Sequence, residues 1–107
     1  MFVHAVYFWL RDDLTEAEHR QFNEGVRSLI AIDGVKMGHI GTPASTNRPV
    51  IDRSYSHALI VVFDDKDAHD AYQEDPIHRT FLERCAPFWQ RLQIYDSVAE
   101  TAETLRH

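Results

Sequence analysis

The sequence predicts an α+β fold of order βαββαβ whose second helix is split in two. Three observations carry that reading. Four segments hold β-branched and aromatic residues at strand spacing, two intervening stretches hold apolar residues at helical spacing, and Pro76 interrupts the second of those stretches.

The first strand, residues 2–11 ("FVHAVYFWLR"), is apolar on both faces of its period-2 pattern, which fits a central strand covered on both sides. A helix follows, with Leu14, Ala17, Phe22, Val26, Leu29 and Ile30 on one face. Thr15 and Glu18 form a capping box at its start, and Gly34 is placed to end it. The second strand, "VKMGHIGTP", contains two glycines that weaken it and mark an edge or a bulge. A polar loop then leads to residues 55–64, "YSHALIVVFD", the strongest strand signal and again central.

Asp64 or Asp65 caps the next helix, which stops at Asp75 because the residue before a proline avoids the helical conformation. Asp75 in turn caps a third helix with Pro76 at its first position, where the missing N–H costs nothing. That helix carries Ile77, Phe81, Leu82 and Cys85 on its apolar face up to Pro87. Residues 91–98, "RLQIYDSV", alternate as a last strand beside the first, with His4 opposite Asp96. The whole is a ferredoxin-like arrangement, a four-stranded antiparallel sheet with its helices on one face.

That arrangement leaves Val3, Ala5, Tyr7, Trp9, Ala58, Ile60 and Val62 on the face away from the helices. An apolar sheet face of this size is not left in water, so the sequence predicts a homodimer that packs two sheets face to face. Tyr7, Trp9 and Tyr95 then line the barrel between protomers.

The 107 residues fit one domain, since a single core serves up to roughly 150 residues. We read a core over residues 2–98 and a tail over 99–107. A composition 44% hydrophobic and 26% charged is that of a folded protein rather than a disordered one. The net charge of −6, with basic residues scattered singly, argues against nucleic acid and anionic membrane as partners. No apolar run approaches the roughly 18 residues needed to cross a bilayer. One cysteine, Cys85, and no leader pattern give a reducing, cytoplasmic setting as the expectation.

The segments "HAVYFWL", "YSHALIVVF", "AYQEDPIHRTF" and "FWQRLQIYD", in that order and separation, resemble the stress-responsive dimeric α/β-barrel family, the Dabb domain. The resemblance runs from Val3 to about Val98. It implies a ferredoxin-like protomer in a dimeric barrel. The family includes heat-stable plant stress proteins, a plant polyketide cyclase that makes olivetolic acid, and bacterial members without an assigned role. By resemblance to the cyclase, its catalytic tyrosine and histidine fall on Tyr72 and His78, and its strand histidines on His4 and His57. The match ends at the first helix, where two aromatic rings of the cyclase's alkyl pocket correspond to Asn23 and Val26.

The residues themselves give this assignment a physical basis. A histidine in the first turn of a helix feels the positive end of the dipole, which keeps the ring neutral and able to act as a base. Tyr72 supplies a hydroxyl that can donate to a carbonyl oxygen or to the enolate forming on it. Together they suit proton abstraction next to a carbonyl and an internal aldol closure, with no cofactor. The other reading is that His78 only pins the helix start. Substrate contacts are expected from His57, His4, Leu59, Val61, Phe81 and Trp89. Of the two strand histidines, His57 is the better candidate, with His4 and Asp96 as a cross-strand pair. The remaining histidines, His19, His39, His69 and His107, show no ligand spacing and read as surface residues, so no metal is expected.

Three functions compete. The chain is a binder or cyclase-like lyase for a small carbonyl-containing or aromatic molecule, a non-catalytic stress protein with a filled interior, or a cofactor-independent monooxygenase or haem protein like other dimeric barrels. No c-type haem attachment motif is present.

Overall fold

The protein is described by a computed structural model covering residues 1–100. Its elements are β1 (Phe2–Leu10), α1 (Glu16–Ile30), β2 (Met37–Gly41), β3 (His57–Phe63), α2 (Lys66–Glu74), α3 (Pro76–Cys85), a 3₁₀ turn (Ala86–Phe88) and β4 (Trp89–Val98). The sheet order is β2-β3-β1-β4, antiparallel throughout, which is the ferredoxin-like arrangement. The predicted tail lies mostly outside the described residues.

The caps are those read from the sequence. Thr15 accepts from the Glu18 N–H at 3.1 Å while Glu18 accepts from the Thr15 N–H at 2.9 Å. Of the two aspartates offered for α2, Asp65 is the cap, accepting from the Ala68 N–H at 2.9 Å. Asp75, extended at ψ 139°, accepts from the Ile77 N–H at 2.8 Å and starts α3.

Some boundaries move. Helix α1 ends at Ile30 rather than near Gly34, which instead takes φ +92° in the turn that follows. Strand β4 starts at Trp89, two residues early, because a register shift between Trp9 and Leu10 lets Leu10 pair with Trp89. Strand β2 is an edge, and one of its glycines has a packing reason: a Cβ on Gly38 would run into the Ile30 side chain, so α1 could not lie so close.

On β1 the burial alternates strictly, with Phe2, His4, Val6, Phe8 and Leu10 under the helices. Of these, Phe2, Val6, Phe8 and Leu10 join Leu59, Val61 and Phe63 of β3, Phe22, Val26 and Leu29 of α1, and Tyr72, Phe81 and Cys85 of α2 and α3 in one core. The opposite face carries Tyr7, Trp9, Tyr55 and Tyr95, with Tyr7 edge-on to Tyr55 at 4.9 Å and Arg91 4.1 Å over the Trp9 ring. Tyr95 there is 63% exposed, so this face is uncovered in a single chain.

Candidate functional site

Strands β1 and β3 pair Phe2 with Phe63 and Phe8 with His57. Since α2 begins just after β3 ends, it lies over the Phe2 end of β1, and Tyr72 comes down on His4. The break at Asp75 then turns the chain, so that His78 in the first turn of α3 faces back to Tyr72. Their rings meet edge to face with centroids 5.0 Å apart, and His4 stands edge-on to Tyr72 at 5.9 Å.

Between these rings and the sheet is a cavity of about 140 Å³ lined by His4, Val6, Leu59, Tyr72, His78, Phe81 and Trp89, among others. Leu82 of α3 and Leu92 and Ile94 of β4 complete its wall and are 38–42% exposed, so the cavity opens between α3 and the β4 edge, which no helix covers. Phe81 stacks on Trp89 at 5.7 Å and also lines a groove of about 300 Å³ between α1 and α3. One ring thus separates the two spaces.

Electrostatics make the pair distinct. The His78 ring is buried, and its Nδ1 has no hydrogen-bond partner among the described residues. Burial, followed by the neighbouring His4 and His69, holds its pKa below the ordinary value, while Asp75 opposes the shift. These causes favour the neutral ring, with burial the largest of them. Tyr72 is driven the other way: burial pushes its phenol above the usual range, so it stays protonated and donates. His4 Nδ1–H donates to the Asp96 carboxylate at 2.5 Å, and burial outweighs the carboxylate in setting the direction of its pKa, which is lowered.

Two expected contacts lie elsewhere. His57 is not the nearer strand histidine. It faces Phe8 at the far end of the sheet, packs on Phe22 at 5.1 Å, and lines a separate hollow with Asn23, Val26 and Arg27. The helix junction sits over the opposite end because β3 runs away from His57 toward α2. Val61, in register with His4, is fully buried and does not reach the cavity. His4, Leu59, Phe81 and Trp89 do reach it, with Tyr72 and His78.

His69 is the residue that sequence reasoning missed. It is no surface residue: its ring stacks on Phe2 at 4.4 Å and lies 4.9 Å from His4, with its side chain 12% exposed. The available signal was its i, i+3 relation to Tyr72, which puts both on one face of α2. His107 lies outside the described residues. Cys85 is buried and its thiol pKa is raised by burial, which fits packing rather than nucleophilic attack.

A family model described as the stress responsive A/B barrel domain matches residues 2–99. No curated protein is matched in sequence. Among solved structures, a Dabb family protein with a ferredoxin-like fold from Mesorhizobium loti is 25% identical, covering 94% of this chain and 97% of that one, with a TM-score of 0.74. A dimeric ferredoxin-like protein of unknown function from Thermobifida fusca is 23% identical over 92% and 90%, with a TM-score of 0.73. The hydroxynitrile lyase from Passiflora edulis is 18% identical over 94% of each chain, with a TM-score of 0.74.

Proposed function

The chain belongs to the stress-responsive α/β-barrel (Dabb) family, and from that premise we propose that it is a homodimer binding a small carbonyl-containing or aromatic molecule in the cavity between sheet and helices, and acting there as a cyclase-like lyase through Tyr72 and His78. The observation that carries this reading is the unpaired Nδ1 of a buried, neutral His78 beside a protonated Tyr72, both on the wall of an open cavity.

The chemistry follows from the two protonation states. His78 takes a proton from the carbon next to a carbonyl, and the electron pair moves onto the carbonyl oxygen as an enolate. Tyr72 donates a hydrogen bond to that oxygen. In a molecule with a second carbonyl the enolate carbon attacks it, a C–C bond forms, and the new alkoxide takes the proton held by the imidazolium. The charge balances without any added group.

The cavity limits the substrate. Its 140 Å³ is close to the roughly 150 Å³ apolar cavity that takes benzene, so one aromatic ring or a short chain of carbonyls fits. The lyase among the structural neighbours supports this class of chemistry on the fold. A filled interior, as a purely structural stress protein would have, is disfavoured by the same cavity.

The test uses acetophenone in deuterated buffer. The protein is expected to accelerate deuterium exchange at the methyl group next to the carbonyl, with the acceleration lost in His78→Ala and strongly reduced in Tyr72→Phe. Equal exchange by wild type and His78→Ala overturns the proposal.

A further inference from the structure

We propose that His4, His69 and Asp96 form a binding site for a divalent transition-metal ion of the zinc class. The three come from β1, α2 and β4 and are 65 and 27 positions apart in sequence, as 69 − 4 and 96 − 69 show. Folding brings one ligand atom of each within 4.8 Å of the others. His4 and Asp96 meet because they are register partners whose side chains share the helix-facing side of the sheet. His69 joins them because α2 lies over that end of β1.

The donor set selects the ion. Two imidazole nitrogens with one carboxylate suit zinc and its neighbours, whereas magnesium and calcium prefer oxygen alone. Metal–ligand bonds of about 2.0–2.2 Å put tetrahedral ligands roughly 3.3 Å apart, so the atoms must shift by on the order of 1 Å. His4 Nδ1 and Asp96 Oδ1 stand at 2.5 Å with a proton between them. On binding, that proton moves to Nε2 and the two atoms open around the cation.

One further feature matches a metal-bound histidine. Asp70 Oδ1 lies 3.1 Å from His69 Nδ1, where an outer carboxylate orients a ligating ring and keeps the proton on the far nitrogen. The Nε2 lone pair accepts from the Gln73 amide at 3.3 Å, so that exchangeable contact is given up and the amide turns aside when the ion binds. Access is graded as well: His4 is buried, His69 nearly so, and Asp96 is 39% exposed, giving the ion a path from solvent. With three protein ligands, the fourth position is left for water or an added ligand. The Tyr72 and His78 chemistry does not require this ion.

The experiment titrates zinc into the full chain after treatment with chelator, followed by calorimetry, and repeats it with cobalt followed by its visible absorption. One zinc per chain is expected, with tetrahedral-type cobalt bands. Affinity should fall more than tenfold in His69→Ala and in Asp96→Asn, and roughly 10- to 100-fold in Asp70→Asn. Thermal unfolding of the same variants checks that they fold, and Asp96→Asn, close in shape, serves if His69→Ala does not. No uptake by wild type, or uptake with unchanged affinity in Asp96→Asn, overturns the site. Deuterium exchange by chelated protein is read separately, so failure here leaves the carbonyl chemistry untouched.

Discussion

Tyr72 and His78 stand edge to face, ring centroids 5.0 Å apart, although they belong to different helices. Their meeting is a consequence of Asp75, whose extended backbone ends α2 and whose carboxylate starts α3. A continuous helix would turn the later ring elsewhere, since residues six apart on a helix point about 120° apart around its axis and lie roughly 9 Å apart along it.

Tyr72→Phe keeps the packed ring and removes only the hydroxyl. Its melting temperature is expected within a few degrees of wild type, because a single hydrogen-bonding group contributes about 1 kcal/mol. Its acceleration of deuterium exchange should fall at least tenfold. Unchanged exchange in this variant would leave the phenol without a chemical part.

Acid should destabilise the fold from a mild pH. His4, His57 and His78 all have pKa values lowered by burial. As pH falls below about 6.5, the unfolded chain takes up protons that the folded chain still refuses, so stability declines until the lowered folded values are reached. Above that pH these groups add no slope. Melting temperature measured from pH 7.5 to 5 should therefore drop, and His57→Gln, away from the proposed chemistry, should flatten the drop. A melting temperature flat across the range would contradict the burial of the three rings.

Much of this was legible in the sequence. Laying the last strand beside the first and matching their centres put His4 opposite Asp96, and the Asp75–Pro76 pair gave the helix break, because caps and prolines act through local backbone chemistry. The placement of His57 was not legible. Both strand histidines have the same parity, and only the direction in which β3 hands the chain to α2 decides which end the helices cover. His69 was missed for a related reason: three ligand atoms from three elements leave no spacing motif.

Gly25→Ala tests how tightly α1 and α3 close over the core. A Cβ at this position would sit 2.8 Å from Phe81 Cδ1 and 2.9 Å from Cys85 Sγ, closer than packed carbon allows. The Phe81 ring must move, and it is the partition between the inner cavity and the outer groove. Overpacking of this kind costs about 1–3 kcal/mol, which outweighs the helix propensity gained on replacing glycine. We expect a lower melting temperature together with altered ligand-size preference, measured as exchange rates on a series of lengthening alkyl phenyl ketones. A more stable variant with the same preference would show that Phe81 does not hold this partition.

Ala5→Glu tests what covers the outer sheet face. Ala5 sits in the middle of β1, flanked by Ile60 on β3 and Tyr95 on β4, with its side chain on the face opposite the helices. In a homodimer joined through this face the carboxylate would be buried against apolar neighbours of the second copy, without a partner. An unpaired buried charge costs several kcal/mol, enough to split a dimer at micromolar concentration. In a single chain the same side chain reaches solvent and costs little. Light scattering coupled to size-exclusion chromatography is expected to show wild type at twice the 12.5 kDa chain mass and Ala5→Glu at the chain mass. Wild type running as a monomer would leave this face, with Tyr7, Trp9 and Tyr95, as an open surface, and Ala5→Glu running as an unchanged dimer would place the interface elsewhere.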